Sequence, residues 1–146
     1  MSQKVTKYGK GKVKVWDVTL TVATGATTAT ETSEDAFVGE VVKIEIDPGA
    51  AMATSATLKA YEANTPLATG TRDHFLNFTF PASEVERVIY PRVLTMLNTG
   101  DETTDTYDGT RVIKTFAPYF VCDQLKIDLA SAVAADATRV RIYVKG

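Results

Sequence analysis

Period-two alternation in Arg139-Val140-Arg141-Ile142-Tyr143-Val144-Lys145 is the feature that most constrains this chain. Successive side chains of a strand point to opposite faces. Val140, Ile142 and Val144 therefore share one face, and Arg139, Arg141, Tyr143 and Lys145 take the other. That is the signature of a half-buried antiparallel strand. The pattern recurs. Within residues 37–47, Val42, Ile44 and Ile46 alternate with Lys43 and Glu45. Residues 56–63 form a shorter strand, and residues 74–80 place Leu76, Phe78 and Phe80 on one face. From residue 119 onward, Val121, Asp123, Leu125, Ile127 and Leu129 oppose Lys126 and Asp128. Asp123 on that apolar face marks an edge or a bulge.

Turn chemistry separates these runs. Asp47-Pro48-Gly49 stops one strand, because proline fixes φ and glycine permits a positive φ. Residues 23–35 read as a polar Thr/Ala/Gly-rich loop, 99–109 as an acidic loop, and 131–138 as an Ala-rich hairpin loop. Ser83 followed by Glu86 fits a capping box, so a helical turn is expected there, ended by Pro91. Residues 93–97 and 111–116 read as further strands. Val13 and Val15 are out of phase with Val18, Leu20 and Val22, which predicts a β-bulge near Trp16-Asp17. Seven or eight strands in 146 residues predict one all-β domain, an antiparallel β-sandwich or jelly-roll-like fold, over residues 12–146.

Residues 1–11 differ. Lys4, Lys7 and Lys10 stand among Gly9, Gly11 and Ser2, and Lys12 and Lys14 lead into the first strand. Glycine and like-charge repulsion disfavour compact structure, so this segment reads as a flexible basic N-terminal arm. The whole chain carries a net charge of -2, so the rest is acidic. An acidic protein surface is the better expected partner for the arm than nucleic acid, which calls for clustered charge with an aromatic platform. No apolar run approaches a membrane span, and no membrane partner is expected.

Few residues offer chemistry. His74 is the only histidine, and no Gly-x-Ser-x-Gly elbow accompanies it. It reads as a strand-end or interface histidine. Cys122 is the only cysteine and follows Tyr119-Phe120-Val121, which predicts a small buried hydrophobe. One His and one Cys do not make a zinc set. The 99–109 acidic loop lacks the spacing of a calcium loop. The expectation is a non-enzymatic protein with no cofactor and no catalytic or metal residues. Trp16, with outward Tyr61 or Tyr143, is a candidate partner contact, because aromatics anchor interfaces.

Three segments carry a resemblance. Tyr90-Pro91-Arg92 lies in mid-chain. Tyr119-Phe120-Val121-Cys122-Asp123-Gln124-Leu125-Lys126-Ile127 resembles the Y-x-V-x-x-x-L-K-V penultimate strand of small phage virion proteins. A loop of small residues then leads to Val140-Arg141-Ile142-Tyr143-Val144. Over residues 36–146 the layout is similar to capsid decoration (cement) proteins of tailed bacteriophages, except that Cys122-Asp123-Gln124 stands where a glycine would mark the bend. The resemblance implies a β-sandwich or jelly-roll domain that binds the outer shell as a homotrimer, often with a terminal arm reaching a neighbouring subunit. The expected partners are a major capsid protein and other copies of the chain. The expected location is the virion surface after synthesis in the host cytoplasm. Lys4, Lys7, Lys10, Lys12 and Trp16 are the candidate partner-binding residues. A carbohydrate- or cell-surface-binding β-sandwich module is the alternative, and two or three coplanar exposed aromatics would mark it.

Overall fold

The computed structural model describes residues 3–8, 13–49, 52, 55–64, 74–81, 86–94, 104–107, 111–114 and 116–146. The described residues are all-β, an antiparallel sheet curled into a sandwich-like half-barrel. Eleven strands follow in chain order: β1 Gln3–Tyr8, β2 Val13–Thr21, β3 Ala29–Pro48, β4 Thr57–Glu62, β5 Leu76–Thr79, β6 Arg87–Ile89, β7 Arg92–Leu94, β8 Thr104–Tyr107, β9 Arg111–Lys114, β10 Phe116–Ala130 and β11 Ala137–Lys145. Nine strands form one sheet in the order β1-β2-β11-β3-β10-β4-β5, with β6 added to β3 and β7 to β10. Strands β8 and β9 form a separate pair.

The long β3 joins the two lobes of the curled sheet. Residues 29–41 pair with β10, and residues 40–48 pair with β11. The change of partner comes at Glu40 and Val41, next to Gly39, whose φ is +144°, a conformation that side-chain-bearing residues rarely adopt. Two irregularities help bend the strand. The β3–β11 register skips Val42, since Tyr143 lies opposite Lys43 and Val144 opposite Val41. The β3–β10 register shifts between Gln124 and Lys126, which lie opposite Ala36 and Thr32. The extra β3 residues at that second shift are tied down by side chains. Ser33 Oγ accepts the Leu125 amide at 2.9 Å and donates to the Asp35 carbonyl at 2.7 Å. The Gln124 side-chain amide donates to the carbonyls of Ser33 and Glu34 at 3.0 and 3.1 Å. A bulge leaves ladder groups without their usual partners, and these bonds replace them.

The inward phase of each strand builds one core. Trp16, Val18, Leu20, Ile44, Val140 and Ile142 from the β2–β11–β3 lobe join Phe37, Leu58, Val121, Leu125, Ile127 and Leu129 from the other lobe. Burying one Leu or Ile side chain stabilises by roughly 1.5–3 kcal/mol, so this cluster supplies the main driving force. Val140, Ile142 and Val144 point inward, as the alternation of the last strand predicts.

Five local expectations are corrected. The polar stretch 23–35 is not all loop, because residues 29–35 belong to β3 and are held by pairing with β10. The bulge lies at Val42 and not at Trp16-Asp17, where β2 runs unbroken against both β1 and β11. In consequence Val41, not Val42, is fully buried beside Ile44 and Ile46. Residues 131–136 do not close a hairpin, since β3 lies between β10 and β11. They cross between lobes beside the β2–β3 connection and bond to it through Val22 N–H to Asp136 O, Ala135 N–H to Val22 O and Ala132 N–H to Thr27 O. Within the acidic stretch 99–109, Thr104–Tyr107 is a strand paired with β9. The capping box at Ser83 lies outside the described residues.

Part of the basic N-terminal segment is strand. Gln3–Tyr8 pair with β2 from Gln3 opposite Val18 to Tyr8 opposite Val13. Among the described residues strand β1 ends the sheet, with β2 as its only neighbour there, and so presents an edge.

Candidate functional site

The outer face of the β3–β10 corner carries the clearest anomaly. Along β10, Val121 points into the core, so Phe120 and Cys122 point out. Along β3, Phe37 points in, so Val38 points out. Phe120 lies opposite Glu40, and Cys122 opposite Val38, in the antiparallel register. The four form a two-by-two patch on one face, with cross-strand neighbours in contact range. Val38 and Phe120 keep 63% and 62% of their surface, and with Tyr90 at 62% they are the most exposed large apolar side chains among the described residues. Together with Gly39, Glu40, Lys145 and Gly146 they line an open groove of about 250 Å³. Val38 and Phe120 give it an apolar lining, and its charged side chains are Glu40 and Lys145. An apolar centre with a polar rim is the anatomy of a protein-binding surface.

Neighbouring groups hold this corner rigid. Glu62 Oε1 accepts the Cys122 amide at 2.7 Å. Asp123 accepts the Asn64 backbone and side-chain amides at 2.9 Å each and the Gln124 amide at 2.7 Å. The Asn64 side-chain bond, with the backbone amides of Asn64 and Gln124, outweighs burial and holds the Asp123 carboxyl below the ordinary range. The residue that broke the apolar pattern of β10 therefore ties that strand to the turn after β4.

A second surface is charged and self-neutralised. Glu45 accepts from Lys43 at 2.9 Å and lies 3.5 Å from Arg141. Burial pushes its carboxyl up, but the hydrogen bonds from Lys43 and Tyr143 and the charges of Lys43 and Arg141 outweigh that, so its pKa falls below the ordinary value. Arg139 grips Asp17 with two parallel bonds, Nε to Oδ1 at 2.9 Å and Nη2 to Oδ2 at 2.6 Å. The adjoining cleft of about 200 Å³ is lined by Glu45, Asp47, Glu86, Arg87, Arg139 and Arg141 together with Ile46 and Val88. Three carboxylates against three guanidinium groups leave it no net charge with which to select an ion.

The sequence-predicted residues fall in three places. Trp16 is fully buried in the core, between Val5 of β1 and Ile142 of β11 in register, so it is not a partner contact. Lys4 and Lys7 lie on β1, and their side chains, with Lys10 and Lys12 entire, lie outside the described residues. Tyr61 is also buried, and its hydroxyl donates to Asp128 at 2.5 Å. Asp128 accepts from Thr30 at 2.9 Å as well. Tyr143 is half-buried beneath the Lys43 ammonium, 4.4 Å from its ring centre. His74 precedes β5 and packs edge-on against Tyr61, with centroids 5.2 Å apart. Cys122 is exposed, not buried, because the strand alternation carries it outward between Val121 and Asp123. No group of three or more His, Cys, Asp or Glu side chains is gathered as a metal would require among the described residues.

Sequence reasoning missed Val38 and Phe120. The signal was present, since each is an apolar residue on the outward phase of a strand whose inward phase is already apolar. Only the β3–β10 register brings the two together.

No known protein family matches this chain, and no curated protein matches it.

Proposed function

We propose that this protein is a structural, non-enzymatic virion component that decorates the outer shell of a phage capsid as a homotrimer. The observation that carries the reading is the outward apolar pair Val38 and Phe120 on a corner braced by Gln124, Asp123 and Asn64. A rigid all-β body with such a corner is suited to binding surfaces. The layout of residues 36–146 resembles that of decoration proteins. Many weak contacts, multiplied by the symmetry of a shell and by three linked copies, give firm attachment through avidity.

The basic segment supplies the contact with the major capsid protein in this reading. Strand β1 is a sheet edge, and edges accept a further strand from a partner. Lys4, Lys7, Lys10 and Lys12 add attraction to an acidic capsid patch. Exposed charge pairs are screened beyond roughly 8 Å at physiological salt, so this attraction weakens as salt rises.

Co-sedimentation with undecorated particles tests the reading, using full-length protein and a variant lacking residues 1–11 at two salt concentrations. The full chain is expected to pellet with particles, and the truncated chain to bind more weakly with less salt dependence. Failure of the full chain to bind any shell overturns the virion reading. Equal binding by both forms removes the arm from it.

The carbohydrate-binding alternative has less support. Among the described residues the exposed large aromatics are Tyr90, between β6 and β7, and Phe120, within β10, and Tyr61 is buried.

A further inference from the structure

We infer that the Val38–Phe120 corner is the surface through which copies of this chain associate, with a symmetry axis of the oligomer passing through it. The occupant of the groove is a second copy of the same corner.

Two features of the corner point to a self-contact. First, it sets an apolar knob beside an apolar groove. Phe120 stands out at 62% exposure beside a groove of about 250 Å³ that it helps to line. An aromatic knob beside an open apolar groove, repeated about an axis, sets each Phe120 against its neighbour's Val38 and Phe120. Second, the corner is self-complementary in charge. Its rim carries one acid, Glu40, and one base, Lys145, at neighbouring positions of β3 and β11. About a three-fold axis one neighbour offers its Lys145 to this Glu40, and the other offers its Glu40 to this Lys145. A foreign partner would have to supply that mixed pair by coincidence; a second copy supplies it by identity.

The inference rests on the homo-oligomer of the proposed function and assigns it a surface. It needs no capsid, so its test is independent of shell binding. Cys122 sits in the patch opposite Val38 and is exposed, and it is the only cysteine in the chain. Copies meeting about an axis through the corner bring their Cys122 thiols together, which makes a short bis-maleimide a reporter of the contact.

The experiment measures sedimentation equilibrium and Cys122 cross-linking of the whole chain, wild type beside Phe120→Asp, Val38→Asp and the distant Val133→Asp. Val133 is also exposed, at 55%, and lies in the β10–β11 connection. The expected result is a wild-type oligomer with cross-linked pairs. Phe120→Asp and Val38→Asp each weaken association by at least about tenfold, the loss of a buried interface anchor, and Val133→Asp leaves it unchanged. Circular dichroism confirms that the variants stay folded, as substitutions at exposed positions should. A monomeric wild type overturns both the oligomer and this surface. An oligomer that does not cross-link at Cys122, or that survives Phe120→Asp, overturns the surface alone.

Discussion

Gly39 and the main chain of Lys145 approach so closely that no Cβ fits between them. A Cβ built on Gly39 falls onto the Lys145 carbonyl and within 2.9 Å of the Gly146 Cα. The same residue has φ +144° and lies opposite Val121, where β3 passes from one lobe of the sheet to the other. Glycine is required here twice over, by conformation and by space. It also answers the missing glycine at Cys122-Asp123-Gln124, because the bend is provided by the strand next door.

Gly39→Ala is therefore expected to destabilise the fold by about 2 kcal/mol or more, since disallowed backbone costs roughly 1–3 kcal/mol before any clash is counted. Chemical denaturation of the two proteins measures it. A variant as stable as wild type would mean that β3 does not turn at Gly39.

The last strand offers a paired test of face assignment. Ile142 is fully buried, facing Trp16 on one side and Ile44 on the other in register. Ile142→Ala should cost roughly 2–5 kcal/mol, the range for emptying a core position. Arg141, one residue along, points outward and reaches Glu45 at 3.5 Å. Arg141→Ala should cost no more than about 1 kcal/mol, as exposed ion pairs do. Urea midpoints of the two variants, compared at equal slope, decide the matter, and equal losses would mean the strand is reversed.

Ser33 is a sharper case, because it is a polar side chain that is almost entirely buried. It accepts the Leu125 amide in place of the carbonyl that the register shift takes away. Ser33→Ala leaves that buried donor unsatisfied, so a loss of about 1–3 kcal/mol is expected. Amide exchange at Leu125 should rise with it. Unchanged exchange in a destabilised variant would place the damage elsewhere.

Much of this architecture was legible because inward phases are apolar. Val140, Ile142 and Val144, Leu125, Ile127 and Leu129, and Leu76 all point where alternation places them. The misreadings share a physical cause, which is that strand pairing lies outside the local sequence. Residues 29–35 have no apolar period, but pairing with β10 at distant sequence positions makes them strand. Trp16 reads as a surface anchor because aromatics anchor interfaces, but Val15 and Trp16 are successive apolar residues of one strand. Both are buried on opposite faces of an unbroken strand, with Val15 beside Tyr143 in register. Cys122 looked buried because it follows an apolar run, yet Phe120 and Cys122 are that run's outward phase. The candidate site was hidden for the same reason, since Val38 and Phe120 are 82 positions apart and meet only through the β3–β10 register.

The final prediction follows from Asp123. Its carboxylate accepts two amides from Asn64 and one from Gln124, and these bonds favour the charged form. Its pKa in the folded protein therefore lies below the ordinary value of 3.8. A depressed folded pKa means that the unfolded chain takes up the proton first as pH falls. The stabilisation is thus complete above the ordinary value and is lost as pH drops through the folded pKa. Glu45, also held below its ordinary 4.5, acts in the same direction through Lys43 and Tyr143. Stability should hold level near neutrality and decline between about pH 5 and about pH 2. Asp123→Asn keeps the shape but has no proton to gain, so its decline should be shallower than that of wild type, with Glu45 accounting for part of what remains. Denaturation midpoints of both proteins across that range test the assignment. Parallel curves would show that the Asp123–Asn64 clasp contributes nothing to the acid sensitivity of the fold.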